Sequence, residues 1–369
     1  MPEHRHVPAS PHARSRRPPI PSGVTTSPGP ARASPRAALC RRLRLGLLLL
    51  LVGCTPVVIP AGPDAGPPQV AADSIRMPDG ARLPYRAWLP AGPPRAILVV
   101  LHGFGDYSRN TFEIPAEIFV ARGVGVYAYD QRGFGAAPHR GYWAGSETLA
   151  ADAASVTRTL RALHPGVPVF LLGESMGAAV TLLAAARPEA PPVDGYVLMA
   201  PGLRGRATMS DFAKRALEFA AHAIPAVGFA GSAPGFVPTD NTEAMRRWSE
   251  DPLTTKTFRV DAVYGLINLM DDALAAARQF QGRVLVLYGG HDRIVPAPGI
   301  RGLMRTLPET PGRRFGFYPE GYHLLLRDRQ RQVVGEDIIG WMLDPAAPLP
   351  SGAEAAGRRW LGEEAAAPP

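Results

Sequence analysis

The chain has 369 residues, 46% hydrophobic and 20% charged, which excludes a mostly disordered chain and allows one large or two ordinary domains. The formal net charge is +8, and nine Arg against the single acid Glu3 in residues 1–44 account for all of it. The other 325 residues are balanced, so the body has no basic excess to displace phosphate counterions, which disfavours nucleic-acid binding. Both cysteines, Cys40 and Cys54, precede the body, which excludes a disulfide framework or a cysteine metal site within it.

Residues 1–38 are rich in Pro, Arg, Ala and Ser without hydrophobic period, and cannot offset their ordering entropy. They are longer than an ordinary n-region, which points to a translation start within them at a non-AUG codon. Arg41-Arg42-Leu43-Arg44 is followed by the apolar run Leu45–Val52 and then Gly53-Cys54. A positive segment, a short apolar segment and a small residue before a cleavage point make a signal peptide. The run of about eight residues is far short of the ~20 needed to span a bilayer. Leu51-Val52-Gly53-Cys54 resembles the bacterial lipobox. That resemblance implies cleavage before Cys54, acylation of its sulfur and amine, and an exported, membrane-anchored lipoprotein. By resemblance to Gram-negative lipoproteins, the lack of Asp at Thr55 implies the outer membrane or the periplasmic face if the host is Gram-negative. The competing readings are an ordinary secretory signal and a hydrophobic leader with a chance Cys; Cys40 is no rival, having no apolar run before it. Residues 54–72, with Pro56, Pro60, Pro63, Pro67 and Pro68, read as a stiff extended tether.

The pattern changes near residue 73. Asp73–Leu89 reads as a hairpin around Pro78-Asp79-Gly80. Apolar runs follow at Ala96–Leu101, Val124–Tyr129, Val169–Leu172, Tyr196–Met199, Val284–Tyr288 and Phe315–Tyr318. Without polar alternation they suit parallel strands covered on both faces. Helical stretches lie between them at Phe112–Arg122, Leu149–Leu163, Met176–Ala186 and Ile300–Leu307, and Val333–Leu343 closes the series. This is a repeated βαβ pattern, hence an α/β sheet over about residues 73–345. About 80 residues separate the Met199 and Val284 runs. With helical candidates at Thr208–Ile224, Thr242–Trp248 and Ala262–Gln279, this interval reads as a helical cap over about residues 203–280. Residues 346–369, rich in Ala, Glu and Pro, read as a flexible tail.

Gly173-Glu174-Ser175-Met176-Gly177 has the form G-x-S-x-G, follows an apolar strand and opens a helix. That context makes Ser175 a nucleophile candidate. Of the six histidines in the body, His323 follows the last strand and is the candidate base. His139 and His164 lie in polar loops, His222 in the cap, and His291 beside an acid. Asp292, at a strand end, is the candidate acid that holds the imidazole tautomer; Asp130, also at a strand end, is its rival. Ser175, Asp292, His323 is the chain order of α/β-hydrolases. The backbone N–H groups of Phe104, in His102-Gly103-Phe104-Gly105, and of Met176 are the candidate oxyanion donors.

At these residues the sequence resembles the α/β-hydrolase superfamily, in particular its monoacylglycerol lipase, lysophospholipase and serine aminopeptidase-like group. The matching pieces are His102–Arg109, Tyr129–Gly135, Gly173–Gly177, Gly289–Pro296 and Gly321–His323, with Asp240-Asn241 and Asp251-Pro252-Leu253 in the cap. The resemblance implies an α/β-hydrolase fold, the triad Ser175, Asp292 and His323, oxyanion donors Phe104 and Met176, and no cofactor or metal. One departure is Glu174, where His is common in the group.

The reading that results is a serine hydrolase of lipid-like carboxylic esters, with a lipid-like ester as substrate and the membrane as a partner through Cys54. The alternatives are a small-ester esterase, an aminopeptidase-like peptidase, whose cap would hold a substrate amine with Glu243, Glu250, Asp271 or Asp272, and a non-catalytic binding protein. In the cap, Phe212, Leu217, Phe219, Ile224, Val227, Phe229 and Phe236 from one half, and Val263, Leu266, Ile267, Leu269 and Met270 from the other, are expected to hold the acyl chain. The second group is too dense for one helix stripe, so part of it should pack on the core.

Overall fold

The computed structural model describes residues 55–203, 205–231 and 237–366. The signal segment, Cys54 and Phe236 lie outside them. The strands are β1 (Gln69–Val70), β2 (Ser74–Arg76), β3 (Arg82–Trp88), β4 (Ala96–Leu101), β5 (Val124–Tyr129), β6 (Val169–Glu174), β7 (Gly195–Met199), β8 (Gly228–Ala230), β9 (Thr257–Arg259), β10 (Val284–Gly289) and β11 (Arg313–Tyr318). The helices are α1 (Ser108–Val120), α2 (Ser146–Leu163), α3 (Met176–Ala185), α4 (Asp211–Ala223), α5 (Thr242–Glu250), α6 (Val260–Ala276), α7 (Ala297–Thr306), α8 (Arg331–Leu343) and α9 (Ala353–Ala366).

The main sheet has the order β1-β2-β3-β5-β4-β6-β7-β10-β11. The run from β5 to β11 is parallel, and β3, β2 and β1 extend it antiparallel. The apolar runs are continuous because both faces are covered. In β4, Ile97, Val99 and Leu101 join one core with α2, α3, α6 and α7. Ala96, Leu98 and Val100 join the other, with α1 and α8. The order reverses between β4 and β6, so the loops leaving their carboxyl ends meet at a switch point, where open sheets of this kind bind ligands.

β7 and β10 pair side by side in parallel, and residues 200–283 leave and return between them. Within this excursion α6 packs along α3, and β8 pairs with β9 in a small antiparallel ribbon. The ribbon is not apparent in the sequence, because three-residue strands are too short for an alternation pattern to register.

Two segments differ from expectation. Residues 55–68, expected as a stiff extended tether, form no helix or strand and do not stand away from the body: Ile59 N–H donates to Trp143 O at 2.8 Å and Ala65 N–H to Pro78 O at 2.7 Å. The C-terminal segment, expected as a flexible tail, forms α9. Ala and Glu are strong helix formers, and the segment carries its own anchor: Trp360 stacks on Phe317 with ring centroids 5.2 Å apart. The Arg301 guanidinium lies 3.9 Å from the Trp360 ring centroid, and Glu354 pairs with Arg314. Among the described residues no helix is long and apolar enough to cross a membrane.

Candidate active site

Ser175 occupies the turn between β6 and α3 with φ 55° and ψ −114°, a region rarely adopted by non-glycine residues and typical of strained functional positions. The flanking glycines make the turn possible. A Cβ on Gly173 would lie 2.2 Å from Gly177 O, and one on Gly177 would lie 2.4 Å from Leu101 O. Ser175 N–H donates to Met199 O at 3.0 Å, and Ala178 N–H to Ser175 O at 3.0 Å, which fixes the serine against β7.

The structure brings Asp292 and His323 together. His323 Nδ1 donates to Asp292 Oδ2 at 2.8 Å, and both residues are buried. The other carboxylate oxygen accepts from Ile294 N–H at 2.8 Å and Val295 N–H at 2.9 Å, so the acid is held from both sides. Burial by itself lowers the His323 pKa, but the Asp292 carboxylate and, further off, that of Glu174 outweigh it, and the net shift is upward. Ser175 and His323 open on one cavity.

Met176 opens α3, so its N–H belongs to the first-turn donors that have no intrahelical acceptor. Phe104 follows β4 on the other side of the switch point and lines the same cavity. The Gly103 turn abuts the serine, since a Cβ placed on Gly103 would lie 3.4 Å from Ser175 Cβ. His102 pins this turn. Its Nδ1 donates to Gly103 O at 2.9 Å and its Nε2 accepts from Gln131 N–H at 3.0 Å. Those partners assign the neutral tautomer, and complete burial lowers its pKa.

The rival acid Asp130 has a structural task. It accepts from Ser108 N–H at 3.0 Å and Ala136 N–H at 2.9 Å, capping α1 and closing the turn after β5. His164 bonds the Tyr127 hydroxyl at 2.9 Å, His222 sits on α4, and His291 packs on the Tyr322 ring.

The cavity is about 620 Å³ and mostly apolar. Met245 and Trp248 come from α5, and Val263, Leu266, Ile267 and Met270 from α6, while Leu269 turns into the core. The division expected of that dense stretch is observed. The expectation for the first half is corrected. Phe212, Phe219, Ile224, Val227 and Phe229 face solvent, and Met209, Ser210 and Ala213 line the cavity instead. Helical periodicity gives α4 two apolar stripes, and the smaller one, carrying Ala213, faces inward.

A buried charge group beside the serine is not evident from the sequence. Arg327 donates to Asp106 Oδ2 at 2.6 Å and to Glu174 Oε1 at 2.7 Å. All three residues are buried and line the cavity. Burial raises the Glu174 pKa against the opposing pull of Arg327 and His323. The only sequence signal was an Arg closing the apolar run Leu324-Leu325-Leu326. The next residue, Asp328, ties this loop to the cap by accepting from the Thr239 hydroxyl at 2.6 Å and Tyr322 N–H at 2.8 Å. Burial pushes its pKa up to about 6. The cap acids proposed to hold an amine lie elsewhere: Glu243 and Glu250 pair with Arg246, and Asp271 with Arg206. Among the described residues no cluster of His, Cys, Asp and Glu is arranged to hold a metal.

Residues 92–330 match the Hydrolase_4 family, described as serine aminopeptidase, S33. The chain is similar to the monoacylglycerol lipase of Mycolicibacterium smegmatis, 26% identical over 284 residues, covering 72% of this chain and 94% of that one. It is also similar to the monoglyceride lipase of Rattus norvegicus, 28% identical, covering 68% of this chain and 82% of that one. Among solved structures, the Paleococcus ferrophilus monoacylglycerol lipase shares the fold, with a TM-score of 0.60 at 24% identity, covering 71% of this chain and 98% of that one. The chain belongs to the serine aminopeptidase S33 family and has the α/β-hydrolase fold.

Proposed function

We propose that the protein is a serine hydrolase that cleaves lipid-like carboxylic esters, of monoacylglycerol or lysophospholipid type, through an acyl-enzyme. The observation that carries this reading is the apolar cavity of about 620 Å³ shared by Ser175 and His323, a volume suited to an alkyl chain. The lipase names of its relatives support the same substrate class.

In this mechanism His323 Nε2 takes the proton of Ser175 Oγ as that oxygen attacks the ester carbonyl. Asp292 holds the Nδ1–H tautomer and stabilises the imidazolium. The N–H groups of Phe104 and Met176 receive the oxyanion, where the α3 dipole also favours negative charge. His323 then returns its proton to the leaving alcohol as the C–O bond breaks. Water, deprotonated by His323, attacks the acyl-serine; as the bond to Ser175 Oγ breaks, His323 returns that proton to Oγ and the fatty acid is released. We also propose that the mature chain begins at an acylated Cys54, exported and tethered to a membrane.

The test is kcat/KM on p-nitrophenyl esters of graded length, beside aminoacyl p-nitroanilides. A buried methylene is worth ~0.8 kcal/mol, so two added carbons should raise kcat/KM roughly tenfold while the pocket lasts. A rise from acetyl to about octanoyl esters is expected. Best activity on acetyl esters favours a small-ester esterase, and aminoacyl cleavage without a chain-length response favours a peptidase.

A further inference from the structure

We propose that Phe258, on β9 of the cap, is a positioning residue for the oxyanion turn: its ring holds Phe104, so that the Phe104 N–H stays aimed at the developing negative charge. This rests on the oxyanion role given to Phe104 above. On the body side, Gly103 O accepts from His102 Nδ1 at 2.9 Å and from Asp106 N–H at 3.3 Å. A planar trans peptide points its carbonyl and N–H in opposite directions, so a fixed Gly103 O aims the Phe104 N–H. The rest of the turn is held by the cap. The Phe104 ring stacks on Phe258 with centroids 4.7 Å apart and planes at 27°. Gly105 has φ 81°, a conformation glycine enters without steric cost, and its carbonyl accepts from Thr255 N–H at 2.7 Å.

Phe258 is itself held firmly enough to serve as a backing. It is buried, and the β8–β9 ribbon sets it opposite Phe229. Its ring is wedged between two glycines. A Cβ on Gly105 would lie 2.5 Å from Phe258 Cζ, and one on Gly231 would lie 1.9 Å from its Cε2. The segment leading to β9 is fastened to the body beside the turn. Asp251 Oδ2 accepts from the Tyr107 hydroxyl at 2.6 Å, and Pro252 O accepts from Arg140 at 2.5 Å. The ring therefore cannot follow the acyl chain, although it lines the same cavity. A side chain that only lined an acyl cavity would have no need to bear on the Gly105 backbone. An oxyanion donor is effective when it is aimed before the charge develops, and the stack on Phe104 supplies that aim from the cap.

The experiment measures kcat and KM of the full chain on p-nitrophenyl acetate and octanoate, and the Ki of an alkyl boronic acid, whose adduct on Ser175 places a tetrahedral oxygen in the oxyanion hole. Phe258→Leu keeps an apolar side chain and removes the ring face. It should lower kcat roughly tenfold on both esters, a part of the ~10²–10³-fold that a whole oxyanion donor supplies. KM should stay within about twofold, and the boronate Ki should rise by about the factor that kcat/KM loses, because the lost interaction belongs to the transition state. Leu266→Ala, elsewhere on the cavity wall, should instead raise KM for the octanoate. Phe104→Leu removes the same stack from its other side and should show the same kcat loss, so the test does not depend on the folding of one variant. The double variant should lose no more than about threefold beyond either single one, since both act through one contact. An effect of Phe258→Leu confined to the octanoate KM, or losses that multiply in the double variant, overturns the proposal and leaves the serine hydrolase reading intact. A wild-type protein that cleaves neither ester overturns that reading and the positioning role with it.

Discussion

His323 Nδ1 reaches Asp292 Oδ2 at 2.8 Å across 31 positions of sequence, while the rival acid Asp130, just after β5, faces the first turn of α1. The two acids therefore have separable consequences. Asp292→Asn should lower kcat by about 10⁴-fold, because it favours the wrong imidazole tautomer. Asp130→Asn should act on stability and leave kcat near normal. Esterase kinetics together with thermal denaturation of both variants check the assignment, and a larger kcat loss in Asp130→Asn would reverse it.

The upward shift at His323 sets the pH profile. Protonated imidazole cannot accept the serine proton, so kcat/KM should fall as pH drops through a value above the ordinary 6.5 of histidine. Glu174 contributes to that shift. Glu174→Gln removes a negative charge, so the acid limb should move to lower pH. A limb that stays in place with reduced kcat would mean that Glu174 only packs the turn.

Arg132 lies buried between two carboxylates, pairing with Asp79 at 2.6 Å and Asp152 at 2.6 Å. Arg132→Met leaves both acids without their partner. The expected loss is about 3–5 kcal/mol, read by urea denaturation, and a loss below ~1 kcal/mol would contradict this role.

The geometry of the candidate site was more legible in the sequence than its surroundings. Gly173, Ser175 and Gly177 are neighbours in the chain, and their strand and helix are continuous apolar runs, so the turn could be read locally. Asp292 and His323 followed from strand ends and chain order. The Glu174–Arg327 pair spans 153 positions and carries no periodic signal. Phe212 and Phe219 show the limit of pattern reading. Helical spacing groups them on one stripe, but which stripe faces inward depends on tertiary packing. The C-terminal helix was hidden by composition, because Ala and Glu suit a loose tail and a docked helix equally until Trp360 finds Phe317.

That docking has a measurable weight. Trp360 is half-buried between Phe315, Phe317 and Arg301. Trp360→Ala should destabilise the fold by about 2 kcal/mol, less than the ~3–5 of a fully buried aromatic. Calorimetry checks it, and an unchanged melting temperature would return the segment to a dispensable tail.

Covalent capture decides the assignment of Ser175 as the nucleophile. The protein is treated with a long-chain alkyl fluorophosphonate and analysed by intact and peptide mass spectrometry. One adduct is expected, on Ser175, with esterase activity lost in step, and no adduct and a kcat lower by roughly 10⁴–10⁶-fold in a folded Ser175→Ala variant. An adduct on another residue, or near-normal hydrolysis by Ser175→Ala, would contradict it.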